Sequence, residues 1–189
     1  MKKLLLLLIA LPMIGFGQTT IPDANFEQAL INLGYDTTPI NGSVPTANID
    51  TVTSLNINNQ SITDLTGIED FTSLTILHCD SNQLTSLSVS NNTVLTVLHC
   101  YNNQLTTLDV STNTALTNLY CDYNQLTSLN VSNNTALYYL RCDSNQITSL
   151  DVSTNTALTN LYCYNNQLTS LNVSNNTALY YLRCDGNQL

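Results

Sequence analysis

Positive charge is what this chain has least of. Lysine and arginine together number four against thirteen acids, and two of the four, Lys2 and Lys3, stand at the extreme N-terminus. A surface whose remaining fixed cations are Arg141 and Arg183 repels phosphate backbones, which argues against a nucleic-acid partner. The acidity otherwise speaks only for solubility. There is no CxxC pair and there are only two histidines, His78 and His99, which leaves no basis for a zinc site. Asp80, Asp122, Asp143 and Asp185 recur along the chain, but the GGxGxD signature of calcium-binding β-rolls is missing. Hydroxyls are abundant without an activating base beside them. No metal, no cofactor and no catalysis are expected.

Long apolar runs are absent after the first residues. The exception begins Met1-Lys2-Lys3, continues through Leu4 to Leu11, and closes on Gly15-Phe16-Gly17. A basic start, a short apolar core and a small-residue end describe a secretory signal peptide, too short and wrongly flanked to span a membrane. Residues 1–17 are therefore expected to be removed, leaving Gln18 first. No cysteine lies near the cut, so a lipid anchor is not expected. The mature chain, with no transmembrane segment, is expected to be secreted or held at the cell surface.

What is present is repetition. All six cysteines, Cys79, Cys100, Cys121, Cys142, Cys163 and Cys184, are spaced 21 residues apart, and a fixed period of that size decides architecture before any local assignment. Complete coils start at Leu74, Leu95, Leu116, Leu137 and Leu158, and a sixth starts at Leu179 and runs about halfway round. The first coil, residues 52–73, has 22 residues and carries Gly67 and Phe71, as an atypical terminal repeat should. Residues 115–147 and 157–189 differ at only four positions, which marks a 42-residue duplication. The solenoid is assigned to 52–189 and expected to be C-terminally incomplete.

Each coil is two similar halves. Leu116, Leu119 and Cys121, then Leu126, Leu129 and Val131, are expected to point inward, with Asn124 and Asn134 at the bends. Stacked coils thus predict two asparagine ladders, through Asn82, Asn103, Asn124, Asn145, Asn166 and Asn187, and through Asn92, Asn113, Asn134, Asn155 and Asn176, since asparagine tolerates turns and bonds backbone at corners. In-register side chains point the same way, so the stacked cysteines fail to converge as a disulfide requires. They read as buried thiols, small and apolar. Six apolar side chains supply roughly 9 to 18 kcal/mol per coil, while ordering its residues costs about 1 to 2 kcal/mol each. Stability has to come from neighbouring coils.

Residues 18–51 are assigned to an N-terminal cap with a helix over about 22–33. Asp23 caps it, Glu27 suits its first turn, Phe26, Ala29, Leu30 and Leu33 form one apolar face, and Gly34 ends it. A polar stretch with Pro39, Gly42 and Pro45 follows. The helix is placed over the first coil, which a solenoid must cover.

Leu116, Leu119, Cys121, Asn124 and Leu126 resemble the leucine-rich repeat pattern LxxLxLxxNxL, with cysteine at the third apolar place. The nested form, LxxLxCxxNQL then TxLxVSxNTA, is similar to repeats of exported bacterial surface proteins. Leu65, Gly67, Ile68 and Phe71 resemble internalin-type repeats, and residues 21–31 resemble the start of secreted Bacteroidetes repeat proteins. The resemblance implies a leucine-rich repeat solenoid with stacked parallel β-strands on a concave face, a short extended or irregular opposite side, and the capping helix.

In such a fold the third, fifth and seventh residues of each coil face outward on the concave side. Every tyrosine but Tyr35 lies in or beside that strip, as do both histidines and both remaining arginines. The candidate ligand-binding residues are His78, His99, Tyr101, Tyr120, Asp122, Tyr139, Arg141, Asp143, Tyr162, Tyr164, Tyr181 and Arg183. Tyr and Arg concentrate binding energy through large contact area with polar tips, so the expectation is a monomeric, non-catalytic module that binds a protein or a glycan. Tyrosines that merely ladder against one another would instead suit a structural spacer or stalk. An ice-binding face along Thr85, Thr106, Thr127, Thr148 and Thr169 is a third alternative.

Overall fold

The structure, a computed structural model, describes residues 17–189; the expected signal peptide, apart from Gly17, lies outside them. Strand β1 (Gln18–Thr20) leads into helix α1 (Ala24–Asn32), and β2 (Ser43–Pro45) returns to pair antiparallel with β1. Seven strands of three residues each follow: β3 (Ser54–Asn56), β4 (Ile76–His78), β5 (Val97–His99), β6 (Asn118–Tyr120), β7 (Tyr139–Arg141), β8 (Asn160–Tyr162) and β9 (Tyr181–Arg183). They form one parallel sheet in sequence order. The register advances by one repeat per coil, with Leu77 opposite Leu98, Leu98 opposite Leu119 and Leu119 opposite Leu140. The pairing of β1 with β2 lies in a stretch whose composition suggests only a polar connection.

The middle coils bury the residues their pattern predicts, whereas in the last one Leu182 and Leu189 are exposed and Leu179 and Cys184 only partly buried. Leu116, Leu119, Cys121, Leu126 and Val131 have no solvent exposure, and Leu129 retains only 6 %. The cysteines are free thiols, and several donate weakly across coils, as from Cys79 Sγ to the His99 carbonyl at 3.4 Å. Burial pushes the thiol of Cys163 up to about 12 and that of Cys121 well above its ordinary value. The column is a stack of neutral, small apolar groups.

The asparagine ladders work by their side chains. Asn145 Oδ1 accepts from Leu126 N at 2.9 Å on the preceding coil, while its amide donates to the carbonyls of Cys121 at 3.0 Å and Cys142 at 3.1 Å. Asn134 donates to Val110 O at 3.0 Å and Asn113 O at 2.8 Å, one coil back, but its Oδ1 is buried without a partner. These asparagines do not themselves take the left-handed turn conformation. In the first ladder, that of Asn145, it falls one residue earlier, at Ser81, Asn102, Tyr123, Ser144 and Asn165, with φ between 50° and 57°. The ladder asparagine stays free to face inward because its neighbour absorbs the bend.

Helix α1 is tied to the first coil through its cap. Asp23 Oδ1 accepts from Asn25 N and Phe26 N, and Oδ2 accepts from Thr63 N at 2.8 Å and Thr63 Oγ1 at 2.7 Å. Glu27 is fully buried, and its two oxygens accept from Asn41 N at 2.6 Å and Gly42 N at 2.8 Å, which satisfies the charge as burial demands. Phe26 stacks on Phe71 of the first coil at 6.4 Å, so the atypical residue of that coil is the one the cap covers. Among the described residues no helix is long and apolar enough to cross a membrane.

Removing the Asn134 amide takes the second donor from two buried carbonyls, Val110 O and Asn113 O, which keep their backbone bonds from Asn113 N and Leu116 N. Two lost hydrogen bonds cost about 1–3 kcal/mol together. Asn134→Ala is expected to lower stability by about that amount in urea denaturation, whereas Thr135→Ala, at an exposed neighbour, stays within about 0.5 kcal/mol of the unaltered protein.

Candidate functional site

The three-residue strands bury their middle residue and send the flanking two to the open face of the sheet. Rings stack continuously along that face. His78 lies on His99 at 4.1 Å with planes 6° apart. His99 meets Tyr120 at 4.2 Å, Tyr120 meets Tyr139 at 4.8 Å, Tyr139 meets Tyr162 at 5.6 Å, and Tyr162 meets Tyr181 at 4.9 Å. The line shifts sideways where Arg141 and Arg183 take the fifth place of their coils. There the third-place tyrosines, Tyr139 and Tyr181, continue it.

The arginines are held beside the ladder. Arg141 Nε donates to Asp143 Oδ1 at 2.9 Å and lies 3.3 Å from Asp122 Oδ2. Its Nη2 donates to Tyr164 Oη at 3.4 Å, and the guanidinium sits 5.8 Å from the Tyr162 ring centre. Arg183 lies over the Tyr164 ring at 3.9 Å and donates to Asp185 Oδ1 at 2.9 Å. Cation–π contacts of this kind suit arginine, whose flat group stacks while it bonds.

The seventh residue is buried in four of the six coils and does not stand outward there as the repeat implies, while Tyr101 is half-buried and Asp185 exposed. Asp143 is fully buried, Asp80 and Asp122 keep 3 % exposure, and Tyr164 keeps 8 %. The next coil covers that position, so Asp122 and Asp143 form the floor of the strip and the arginine lies across them. Asp122 is raised to about 6 by burial, which the Arg141 charge opposes and the Asp143 charge reinforces. His99 is lowered to about 4 by burial and then by His78 against it. Tyr164 is raised to about 12, chiefly by Asp143 beside it. Burial foremost, aided by Tyr162, raises Tyr139.

A hollow of about 520 Å³ opens in the strip, lined by His99, Tyr101, Asn102, Tyr120, Asp122, Tyr123 and Arg141. Five of these are candidates from the repeat positions; Asn102 and Tyr123 are not. Tyr123 sits in the left-handed turn with φ 50° and is 51 % exposed, where Ser, Asn or Gly stand in the other complete turns. A tyrosine at a place filled elsewhere by small turn residues is the available signal. Among the described residues no group of three or more His, Cys, Asp or Glu is arranged to hold a metal ion.

No protein-family model matches the chain. Over 43 residues it is 54 % identical to internalin J of Listeria monocytogenes, a stretch covering 23 % of this chain and 5 % of that protein. The solved functional domain of InlJ from Listeria monocytogenes, described as including a cysteine ladder, matches at 35 % identity with a TM-score of 0.62, over 90 % of this chain and 48 % of that one. The chain is a leucine-rich repeat protein. It spans about half the length of the InlJ domain that it matches. A leucine-rich repeat protein of Leptospira interrogans matches at 29 % identity and a TM-score of 0.61, over 66 % of this chain and 34 % of the other. Internalin C2 of Listeria monocytogenes, at 21 % identity, shares the fold, with a TM-score of 0.64 over 90 % and 89 % of the two chains.

A left-handed backbone costs a residue with a Cβ about 1–2 kcal/mol, and asparagine bears it better than tyrosine. Tyr123→Asn, which restores the residue of the Asn102 and Asn165 turns, is expected to stabilise the leucine-rich repeat protein by about 0.5 to 1 kcal/mol in denaturant titrations. The raised carboxyl of Asp122 carries its own signature. Between about 6 and its ordinary 3.8, the folded chain takes up this proton before the unfolded chain, so acidification relieves the cost of burying the charge. Asp122→Asn removes that relief. Its stability relative to the unaltered protein is therefore expected to be more favourable at pH 7 than at pH 4.5, measured as denaturation midpoints at both.

Proposed function

We propose that this leucine-rich repeat protein is an exported, non-catalytic recognition module that binds a protein partner across the open face of its sheet. The observation that carries the proposal is the ring ladder from His78 to Tyr181, continuous across six coils and partly exposed along its length. Rings held in place by their neighbours lose little entropy on binding, and they offer wide apolar area with polar edges. The opposite halves of the coils repeat Ser, Thr and Asn with little variation, so chemical variety is concentrated where the rings are. The likeness to internalin J supports the same reading. The basic start and apolar run of residues 1–17 support export.

Exposed ring faces also suit sugar stacking, which makes a glycan the second candidate ligand. A spacer role is favoured only by the fact that the rings touch one another, which they do in either case.

Arg141 is best left in place during testing, because removing it strands two buried carboxylates. Tyr139→Ala combined with Tyr162→Ala is expected to weaken capture of a protein selected from a displayed extracellular-protein library by about 30-fold or more, the loss typical of a binding hot spot. The circular dichroism spectrum should be unchanged. Undiminished affinity in the double variant would remove the ladder from the interface. Preferential capture of polysaccharide would make the glycan the ligand.

A further inference from the structure

We infer that the hollow formed by His99, Tyr101, Tyr120 and Tyr123 over Asp122 receives a primary ammonium group, the end of a lysine side chain on the bound protein. The inference rests on the protein-recognition reading above and names the chemistry of one contact within it.

Asp122 supplies the first reason. Its Oδ2 lies 3.3 Å from Arg141 Nε, but the shorter contact of that nitrogen, at 2.9 Å, goes to Asp143. Its Oδ1 is buried without any hydrogen-bond partner. A buried carboxylate oxygen without a donor is costly, and an entering N–H would relieve it. The charge around it points the same way. Asp80, Asp122 and Asp143 are all buried along this row, and Arg141 is the cation set among them. One guanidinium does not balance the row, so an anion would be repelled. A neutral hydroxyl would donate a bond and leave the excess charge in place.

The walls supply the second reason. Four aromatic rings line a space of about 520 Å³ together with Asn102, Asp122 and Arg141. Aromatic faces attract cations, and the Arg141 charge is already engaged by Asp143 and Asp122. The side chain of Asp122 is only 4 % exposed, so a group that meets it must be narrow and carried on a long stem. Lysine has a compact charge on four methylenes that pack against rings.

The duplication supplies the third. Residues 115–147 and 157–189 differ at four positions, and two of them are Asp122, which becomes Tyr164, and Tyr123, which becomes Asn165. The same scaffold therefore holds either pair. Neither the buried carboxylate nor the strained tyrosine at the rim is needed for folding a coil, and strain kept without structural need marks functional sites.

The experiment is an NMR titration of the whole leucine-rich repeat protein at pH 7 and low salt, following the tyrosine ring resonances. The probes are Nα-acetyl-lysine methylamide, its Nε-acetylated form and methyl glucoside. Saturable shifts of Tyr101, Tyr120 and Tyr123 are expected with the lysine probe, weakened at least tenfold by Nε-acetylation, by Asp122→Asn and by added salt. Tyr123→Ser, which installs the residue of the Ser81 and Ser144 turns, is expected to weaken them as well. An unchanged response in Asp122→Asn, an equal response to the acetylated probe, or saturation by methyl glucoside in place of lysine would overturn the inference. If the lysine probe gives no saturable shifts while the Tyr139 and Tyr162 double variant still loses its protein partner, the hollow is wrongly assigned and the recognition reading stands. Lysine binding that depends on Asp122, with protein capture untouched in the double variant, keeps the hollow as an ammonium site and takes the ring ladder out of the interface.

Discussion

The backbone of each coil finds its hydrogen-bond partners on the coils above and below, and nearly everything else follows from that dependence. Strands of three residues have no ladder of their own. At the corners, where the ladder stops, Asn145 and Asn134 carry the bonding from coil to coil. An asparagine side chain offers donors and an acceptor on one short arm, so it reproduces the peptide group that the bend removes. The inward leucines fill the space this frame encloses, and the thiol column fits because nothing larger is needed there.

That dependence also explains why the scaffold was legible. An interaction that must recur at each coil leaves the same residue at the same interval. The inward Leu, Cys and Val, both asparagine ladders and the unpaired thiols could all be read from the 21-residue spacing. The cap was legible for a different reason, since Asp23 and Glu27 signal a helix start. What spacing did not disclose is that the second oxygen of Asp23 holds Thr63, or that Glu27 is buried against the backbone of Asn41 and Gly42. Those contacts join residues far apart in sequence that occur once.

The candidate site was legible as a face and illegible as a place. Alternation along a strand assigns Tyr120, Tyr139 and Tyr162 to the open side correctly. It fails at the seventh residue, because Asp122 and Asp143 lie beyond the strand, where the chain begins to bend and the next coil closes over them. It fails at Tyr123 too, because a turn position is defined by backbone conformation rather than by side-chain period. The hollow exists only where those two irregularities meet, so a reading built on regularity passes over it.

The sideways step in the ring ladder has a geometric consequence. Strands in a sheet are about 4.8 Å apart, and the arginine clamp with its displaced tyrosine recurs every second coil, at Arg141 and again at Arg183. The face is thus graduated in intervals of about 10 Å, close to the length of three residues of extended chain. A polyproline II chain lying across the strands, with three residues per turn and a rise of about 3.1 Å each, would meet like chemistry at every third residue. Lengthening the protein by further two-coil duplications would add graduations to this ruler without altering the spacing of those already there.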